Sequence, residues 1–123
     1  MNSPFFDIQS IEKQADAVYC HLLLLPQSAL YQAHFKGNPI TPAAGMLYMA
    51  AQCFSQAMGQ EFEVFGVKNA KFVALLQPNQ HPQVSLAFSQ IEATSTGYKA
   101  MLQVVSAQTV FAKMTLFLQP ITA

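Results

Sequence analysis

One histidine near the start of the strongest predicted helix is placed for acid–base chemistry. His34 lies in a turn-rich loop, seven residues before Thr41, the predicted N-cap of that helix. The first turn of a helix presents free backbone N–H groups and the positive end of the helix dipole. A carbonyl oxygen bound there would be polarised, and a neutral imidazole beside it could remove a proton from the adjacent carbon. Taken alone, this spacing is more often that of a structural histidine.

The helix that would position this chemistry has clear signals at both ends. Thr41 is the predicted N-cap, Pro42 suits the first helical position, and Gly59 suits the position just past the end. The sequence therefore predicts a helix of about four turns over Ala43–Met58. It is apolar almost all round, which is typical of a buried helix. Its only polar stripe consists of Tyr48, Gln52 and Ser55.

Two strand-like segments precede this helix. A short first strand is expected over residues 4–9. The next strand, over residues 17–25, is nearly apolar throughout, so we expect it to be buried on both faces. Residues 26–40 are rich in turn-forming residues and are expected to be irregular.

Alternating apolar and polar residues after the helix predict further antiparallel strands. Two candidate segments in 61–76 flank Gly66, which indicates a bulge or a close-packing site. A hairpin turn is expected at Thr96 and Gly97. The order predicts one domain over residues 1–123 with an α+β fold of the hot-dog type, an antiparallel sheet wrapped around one long central helix. A second copy of the chain would cover one of the open sheet edges.

The composition excludes several classes of protein. The net charge is zero with His neutral, charged residues make up 10%, and hydrophobic residues make up 52%. This excludes intrinsic disorder, and the lack of clustered positive charge argues against nucleic-acid binding. No apolar run approaches the ~20 residues that span a bilayer, and no leader pattern is expected at the N-terminus. So little surface charge favours a second copy of the chain as a partner.

The cysteines and histidines do not form a metal-ligand pattern. Cys20 and Cys53 lie in apolar sequence, which is typical of reduced core cysteines in a cytoplasmic protein, and two are too few for a disulfide scaffold. His21 is expected to be a satisfied or edge histidine, and His81, between turn residues, an exposed one. Histidines without an acidic cluster do not make a metal site. We therefore expect no metal and no cofactor.

The loop and the helix together resemble a known family. The residues that match its pattern in place are His34, Phe35, Gly37, Pro39, Pro42, Ala51 and Gln52. Further along, residues 65–72 are similar to the family's segment Gly-Ile-x-x-Ala-Lys/Arg-Phe, and 77–80 stand where it has Pro-Gly-Asp. In order and over most of its length, the chain resembles the 3-hydroxyacyl-(acyl-carrier-protein) dehydratases of the FabZ and FabA type, which are hot-dog proteins.

The resemblance implies a substrate, a mechanism and a set of site residues. His34 would remove the α-proton of a β-hydroxyacyl thioester on acyl carrier protein, and the Ala43 N–H would bind the thioester carbonyl. Tyr48 stands where the family has a carboxylate, which acts from the neighbouring subunit on the departing 3-hydroxyl. The implied substrate-binding residues are Phe35, Gly37, Pro42, Ala43 and Gln52. The resemblance also implies a homodimer or larger homo-oligomer and a place in fatty acid or polyketide-type biosynthesis.

The chain departs from the family pattern at three positions. Lys36 replaces a proline of the loop, Ala43 replaces a glycine at the helix start, and Tyr48 replaces the carboxylate. Ala43 keeps its N–H but needs an ordinary backbone conformation. A tyrosine, with an ordinary pKa near 10, is a poorer acid near neutral pH than a tuned carboxylic acid. Tyr48 is either a substitute acid or hydroxyl positioner, or a core aromatic residue whose hydroxyl bonds to Gln52.

Two other functions stay open on the sequence. The chain could be an acyl-thioester hydrolase, because a histidine beside a helix N-terminus could orient water. It could also be a non-catalytic subunit that binds acyl carrier protein, which the missing carboxylate favours. Lys36, Lys68 and Lys71 would form a small basic rim for an acidic carrier protein, or else belong to a scattered solvated surface.

Overall fold

Six strands and two helices make up the part of the chain that the computed structural model describes, residues 4–33 and 37–122. The strands are β1 (Phe6–Gln14), β2 (Ala17–Leu24), β3 (Phe62–Phe72), β4 (Gln83–Ala93), β5 (Tyr98–Ser106) and β6 (Thr109–Pro120). The helices are α1 (Ala29–Ala33) and α2 (Ala43–Met58). The strands form one antiparallel sheet in the order β1-β2-β4-β5-β6-β3, so β1 and β3 are its edges.

The sheet packs around α2, and the two share one hydrophobic core. The helix buries Gly45, Met46, Met49, Ala50, Cys53 and Phe54. The Phe54 ring makes edge-on contact with Phe62 of β3, with ring centres 5.1 Å apart. Because most helical stability in proteins comes from packing an apolar face, this burial fixes α2 in place. The predicted α+β hot-dog fold is confirmed.

The predicted ends of α2 are confirmed to within one residue. Gly59 ends the helix in the left-handed conformation, with φ of 72°, and its N–H donates to the Ser55 carbonyl at 2.9 Å. The N-cap is Pro42, so the prediction that Thr41 is the N-cap was wrong. The Thr41 hydroxyl is hydrogen-bonded to the Tyr31 hydroxyl instead, at 2.7 Å, so it does not cap the helix.

The first two strands differ from their predicted form. β1 runs to Gln14 and not only to residue 9, because it pairs with β2 across a two-residue turn. β2 alternates between buried and half-buried side chains, so the expectation that both of its faces are buried was wrong. An antiparallel sheet that packs on one helix has a single covered face. The stretch expected to be irregular holds the short helix α1, whose five residues give too little pattern to be seen in sequence.

Two glycines mark places where the backbone comes close to a neighbour. The register of β3 against β6 shifts between Val64 and Gly66, which confirms the predicted bulge inside what is one strand and not two. A Cβ added at Gly97 would lie 2.0 Å from the Leu118 carbonyl oxygen. Only glycine therefore fits the predicted hairpin turn between β4 and β5.

Candidate active site

The first turn of α2 is open to solvent at the position predicted to bind a carbonyl. Ala43 and Ala44 are exposed, while Gly45 is buried. The Met46 N–H donates to the Pro42 carbonyl at 3.1 Å and begins the helical ladder. Backbone N–H groups before that point have no helical acceptor and can bind a ligand oxygen. The Ala43 N–H is one of these groups, and its role in binding a carbonyl stays a prediction.

A buried hydrogen bond holds the two ends of the loop before α2. Tyr31 of α1 and Thr41 are both buried, and their hydroxyl oxygens are 2.7 Å apart. Burial raises the pKa of Tyr31 to about 12, although its bond to Thr41 acts in the opposite direction. The proposed base His34 and the substrate-binding Phe35 lie between these ends, outside the described residues. Gly37, also a predicted binding residue, is exposed and has φ of 91°.

A groove of about 560 Å³ runs between α2 and the edge strand β3. Predicted site residues Tyr48 and Gln52 line it from the helix side. The other lining residues are Leu47, Ala51, Phe62, Glu63, Val64, Phe65, Gly66, Val67 and Ile121. The walls are therefore mainly apolar, with a phenol and an amide from the helix, as is typical of a small-molecule site.

Tyr48 belongs to the surface of the groove and not to the core. Its side chain is 49% exposed. Its ring packs against Phe5 and Phe6, with ring centres 6.1 and 6.2 Å away. Among the described residues no hydrogen bond joins it to Gln52, so the interpretation as a core aromatic bonded to Gln52 does not hold. Its hydroxyl is free to meet a ligand.

The two described histidines outside the loop have structural partners. The His21 Nε2 lies 2.9 Å from the Glu12 carboxylate and its Nδ1 lies 2.8 Å from the Ser85 hydroxyl, which confirms a satisfied histidine. The prediction that His81 is exposed was wrong. It is half-buried, 3.2 Å from the Ser106 hydroxyl and in contact with the Phe111 ring. In residues 4–33 and 37–122 no three acidic, histidine or cysteine side chains are grouped as metal ligands.

A basic patch lies on the outer face of the sheet, made of Lys68, Lys71 and Lys113. Lys71 of β3 sits directly opposite Lys113 of β6, and Lys68 pairs with Thr115 on the same face. All three lysines are exposed, and no ion pair involves them within the described residues. Like charges opposite each other in a sheet are destabilising, so this pair of lysines costs the sheet some stability. Sequence reasoning missed Lys113 because only the register of β3 against β6 brings it to Lys71.

The basic patch lies at the same end of the sheet as the start of α2. Beyond Phe72, the Val73 N–H donates to the Phe111 carbonyl at 2.8 Å. Three residues later, the Leu76 carbonyl accepts the Thr41 N–H at 2.8 Å. A continuous backbone path therefore connects the lysines to the first turn of the helix.

The two sheet edges differ in chemistry. The outer edge β1 carries Asp7, Glu12 and Lys13, which discourage pairing with another strand. The other edge, β3, is eleven residues long and exposes Phe65 and Val67 by 48% and 42%. A long apolar edge of this kind normally has a partner.

Solved structures with the same architecture include a thioesterase and a dehydratase. An uncharacterised protein of Erwinia carotovora subsp. atroseptica has a TM-score of 0.57 at 17% identity, covering 92% of both chains. A thioesterase from Haemophilus influenzae has a TM-score of 0.62 at 10% identity, covering 95% of this chain and 78% of that one. An inactive mutant of the CurK dehydratase has a TM-score of 0.52 at 18% identity, covering 98% of this chain and 44% of that one. At these identities the likeness defines a hot-dog protein and no more.

The family follows from the sequence. The family model described as ApeI dehydratase, of the ApeI-like family, matches residues 10–113. The chain therefore belongs to the ApeI-like dehydratase family, which confirms the predicted resemblance to hot-dog dehydratases. None of the curated proteins matches the sequence. Neither described helix has the length and apolar character that crossing a bilayer requires.

Proposed function

We propose that this protein is a 3-hydroxyacyl thioester dehydratase in which Tyr48 takes the place of the acidic residue. The observation that carries the proposal is the groove of α2 and β3, where an exposed phenol lies on the same helix as an open first turn. The thioester carbonyl would accept the Ala43 N–H, which lowers the energy of the enolate formed when the α-proton leaves. Membership in a dehydratase family supports this reaction.

The proton transfers in this reaction balance between two residues. His34 removes the α-proton, and the electron pair left on the α-carbon forms the new double bond as the 3-hydroxyl departs. The Tyr48 hydroxyl donates a proton to that oxygen, so water leaves. The imidazolium of His34 and the Tyr48 phenolate then return to their starting states by proton exchange with water. No metal or cofactor takes part in the proposal.

A second copy of the chain completes the proposed site. The apolar edge of β3 forms one wall of the groove that holds Tyr48, so a partner strand on that edge would close the groove from its open side. The partner's His34 and the partner's Ala43 N–H would then act with Tyr48 of the first protomer, as in the related dehydratases. Pairing would also satisfy the unpaired backbone groups of β3 and cover Phe65 and Val67.

The proposed substrate is carried on acyl carrier protein. The basic patch of Lys68, Lys71 and Lys113 supports an acidic partner, because within the described residues no ion pair neutralises its lysines. A carrier docked there would deliver its thioester to the nearby first turn of α2. The pathway in this proposal is fatty acid or polyketide-type biosynthesis.

One observation favours a second candidate function. The whole of α2 contains no Asp or Glu, so no residue of the helix can replace the family's carboxylate directly. An acyl-thioester hydrolase, or a subunit that binds acyl carrier protein without turnover, would not need that carboxylate. Both alternatives use the same groove and the same helix N-terminus, so only the product separates them.

The test is to incubate the protein with a 3-hydroxyacyl thioester of acyl carrier protein and measure enoyl product and free thiol together. We expect enoyl product from the wild type and none from the folded variant His34→Ala. Free thiol without enoyl product would show that the protein hydrolyses the thioester and does not dehydrate it. Binding of the carrier with neither product would identify a non-catalytic subunit.

A further inference from the structure

Two cysteines that the proposed reaction does not use meet inside the core. Cys20 lies on the inward face of β2, and Cys53 lies on the inward face of α2. Both side chains are fully buried, and their Sγ atoms are 2.7 Å apart. Both are free thiols, as the sequence predicted. A strand and a helix are therefore held together at a point where two thiols touch.

The contact is close to what a covalent bond needs. A disulfide has a sulfur–sulfur distance of about 2.05 Å, so the two Sγ atoms would have to approach by only about 0.7 Å. The residues are 33 apart in sequence, so the bond would close a long loop. That loop contains α1, the segment with His34 and the first half of α2 with Tyr48. A bond at this point would therefore tie down both ends of the segment that carries the candidate site.

The folded structure protects both thiols from oxidation. The hydrogen bond with Cys20 and burial both raise the pKa of Cys53, so the reactive thiolate is scarce. Solvent does not reach either sulfur, and a small oxidant can attack only when the helix and the strand separate briefly. Oxidation should therefore be slow, and its rate should follow local opening.

We propose that Cys20 and Cys53 are an oxidisable dithiol that joins β2 to α2 by a disulfide when the protein meets a peroxide. In the first step one thiol gives up its proton, the thiolate attacks a peroxide oxygen and the O–O bond breaks. The hydroxide that is released takes up that proton, so a sulfenic acid forms and water leaves. In the second step the other thiol attacks that sulfur and displaces a second water, which completes the S–S bond. Two thiols are oxidised and one molecule of hydrogen peroxide is reduced to two of water. This inference does not depend on the proposed dehydration.

The test is to treat the folded protein with hydrogen peroxide, remove the oxidant, denature it and count thiols with N-ethylmaleimide. We expect both thiols to disappear, the intact mass to fall by two hydrogens, and the chain to stay monomeric on a non-reducing denaturing gel. Dithiothreitol should restore both thiols. The oxidised form should melt about 10 °C higher than the reduced form, because closing a loop of this length restricts the unfolded chain.

Matched controls separate this bond from other oxidation. Cys53→Ala and Cys20→Ala each leave one thiol, which cannot form the internal bond and should show no reversible rise in Tm. The thiol count on the wild type needs neither variant to fold. The proposal is overturned if both wild-type thiols still react after peroxide and denaturation, if the mass gains oxygen atoms, or if the cross-link joins two chains. None of these readouts uses enzyme activity, so loss of the dehydratase proposal would leave this one standing.

Discussion

The hydrogen bond between Tyr31 and Thr41, which stand on either side of His34 in the sequence, gives a prediction with a calculable size. Tyr31→Phe removes the hydroxyl that meets Thr41 and keeps the ring that packs edge-on against Phe5. Thr41 is only 3% exposed, so its hydroxyl would then lie buried without its partner. Such an orphaned group costs about 1–3 kcal/mol. We therefore expect Tyr31→Phe to lower the free energy of unfolding near neutral pH by about 2 kcal/mol.

The same pair predicts how that difference changes with pH. The pKa of Tyr31 is raised in the folded state to about 12 from an ordinary value of 10. Between these values the unfolded chain has lost the proton while the folded chain retains it, so stability falls as pH rises. From about pH 9 to about pH 11 the wild type should lose about 1.3 kcal/mol through this residue. Tyr31→Phe has no hydroxyl that can lose a proton, so its stability is not lowered in this way. The difference in unfolding free energy between the two proteins should therefore narrow by that amount.

Chemical denaturation of both proteins across this pH range measures the gap directly. Tyr98→Phe is the matched control, because Tyr98 packs against Phe54 and Phe62 but is only partly buried. Near neutral pH its stability should match that of the wild type, because the Tyr98 hydroxyl makes no hydrogen bond within residues 4–33 and 37–122. Equal stability of Tyr31→Phe and the wild type near neutral pH would contradict the stabilising role of this hydrogen bond. A difference in unfolding free energy that does not narrow above pH 9 would contradict the raised pKa of Tyr31.

Three further predictions concern the sheet. Gly97→Ala should destabilise the protein by about 3 kcal/mol in denaturant titrations, because its methyl group would collide with the Leu118 carbonyl; an unchanged midpoint would show that the turn has room. Phe65→Lys on the β3 edge should convert a dimer to a monomer in light scattering, whereas Gln9→Lys on β1 should leave the dimer intact. If Phe65→Lys is still a dimer, the interface lies elsewhere. The double variant Lys71→Gln and Lys113→Gln should weaken carrier binding roughly fivefold and raise stability slightly. The control Lys13→Gln should change neither. Unchanged carrier binding in the double variant would show that the carrier does not dock on the basic patch.

The parts of the fold that local chemistry determines could be predicted from the sequence. The helix α2 has a proline at its start, a glycine after its end and an apolar surface between them, so its limits were found to within one residue. The hairpin at Gly97 and the bulge at Gly66 carry equally local signals. The strand β1 was predicted too short because its second half is polar and is held by pairing with β2, which no local pattern shows.

The candidate site could be predicted only in part, for a similar reason. Tyr48 and Gln52 were found because helical spacing places them on one face, and the structure brings both to the groove. The partners that depend on distant segments were missed. Tyr31 meets Thr41 through a loop closure, and Lys113 meets Lys71 through strand register. His34 and Phe35, which the resemblance assigns to catalysis and binding, lie outside the described residues and stay predictions.

In the proposed reaction, Tyr48 donates the proton in place of the family's carboxylate. The direct measurement is the rate of enoyl formation from a 3-hydroxyacyl thioester on acyl carrier protein, for the wild type and Tyr48→Phe side by side. The substitution removes only the hydroxyl of a half-exposed residue and keeps the ring contacts with Phe5 and Phe6, so Tm should be unchanged. We expect the rate to fall about 100-fold or more, the usual contribution of a general acid. Equal rates for the two proteins would contradict the account, because dehydration would then proceed without the Tyr48 hydroxyl.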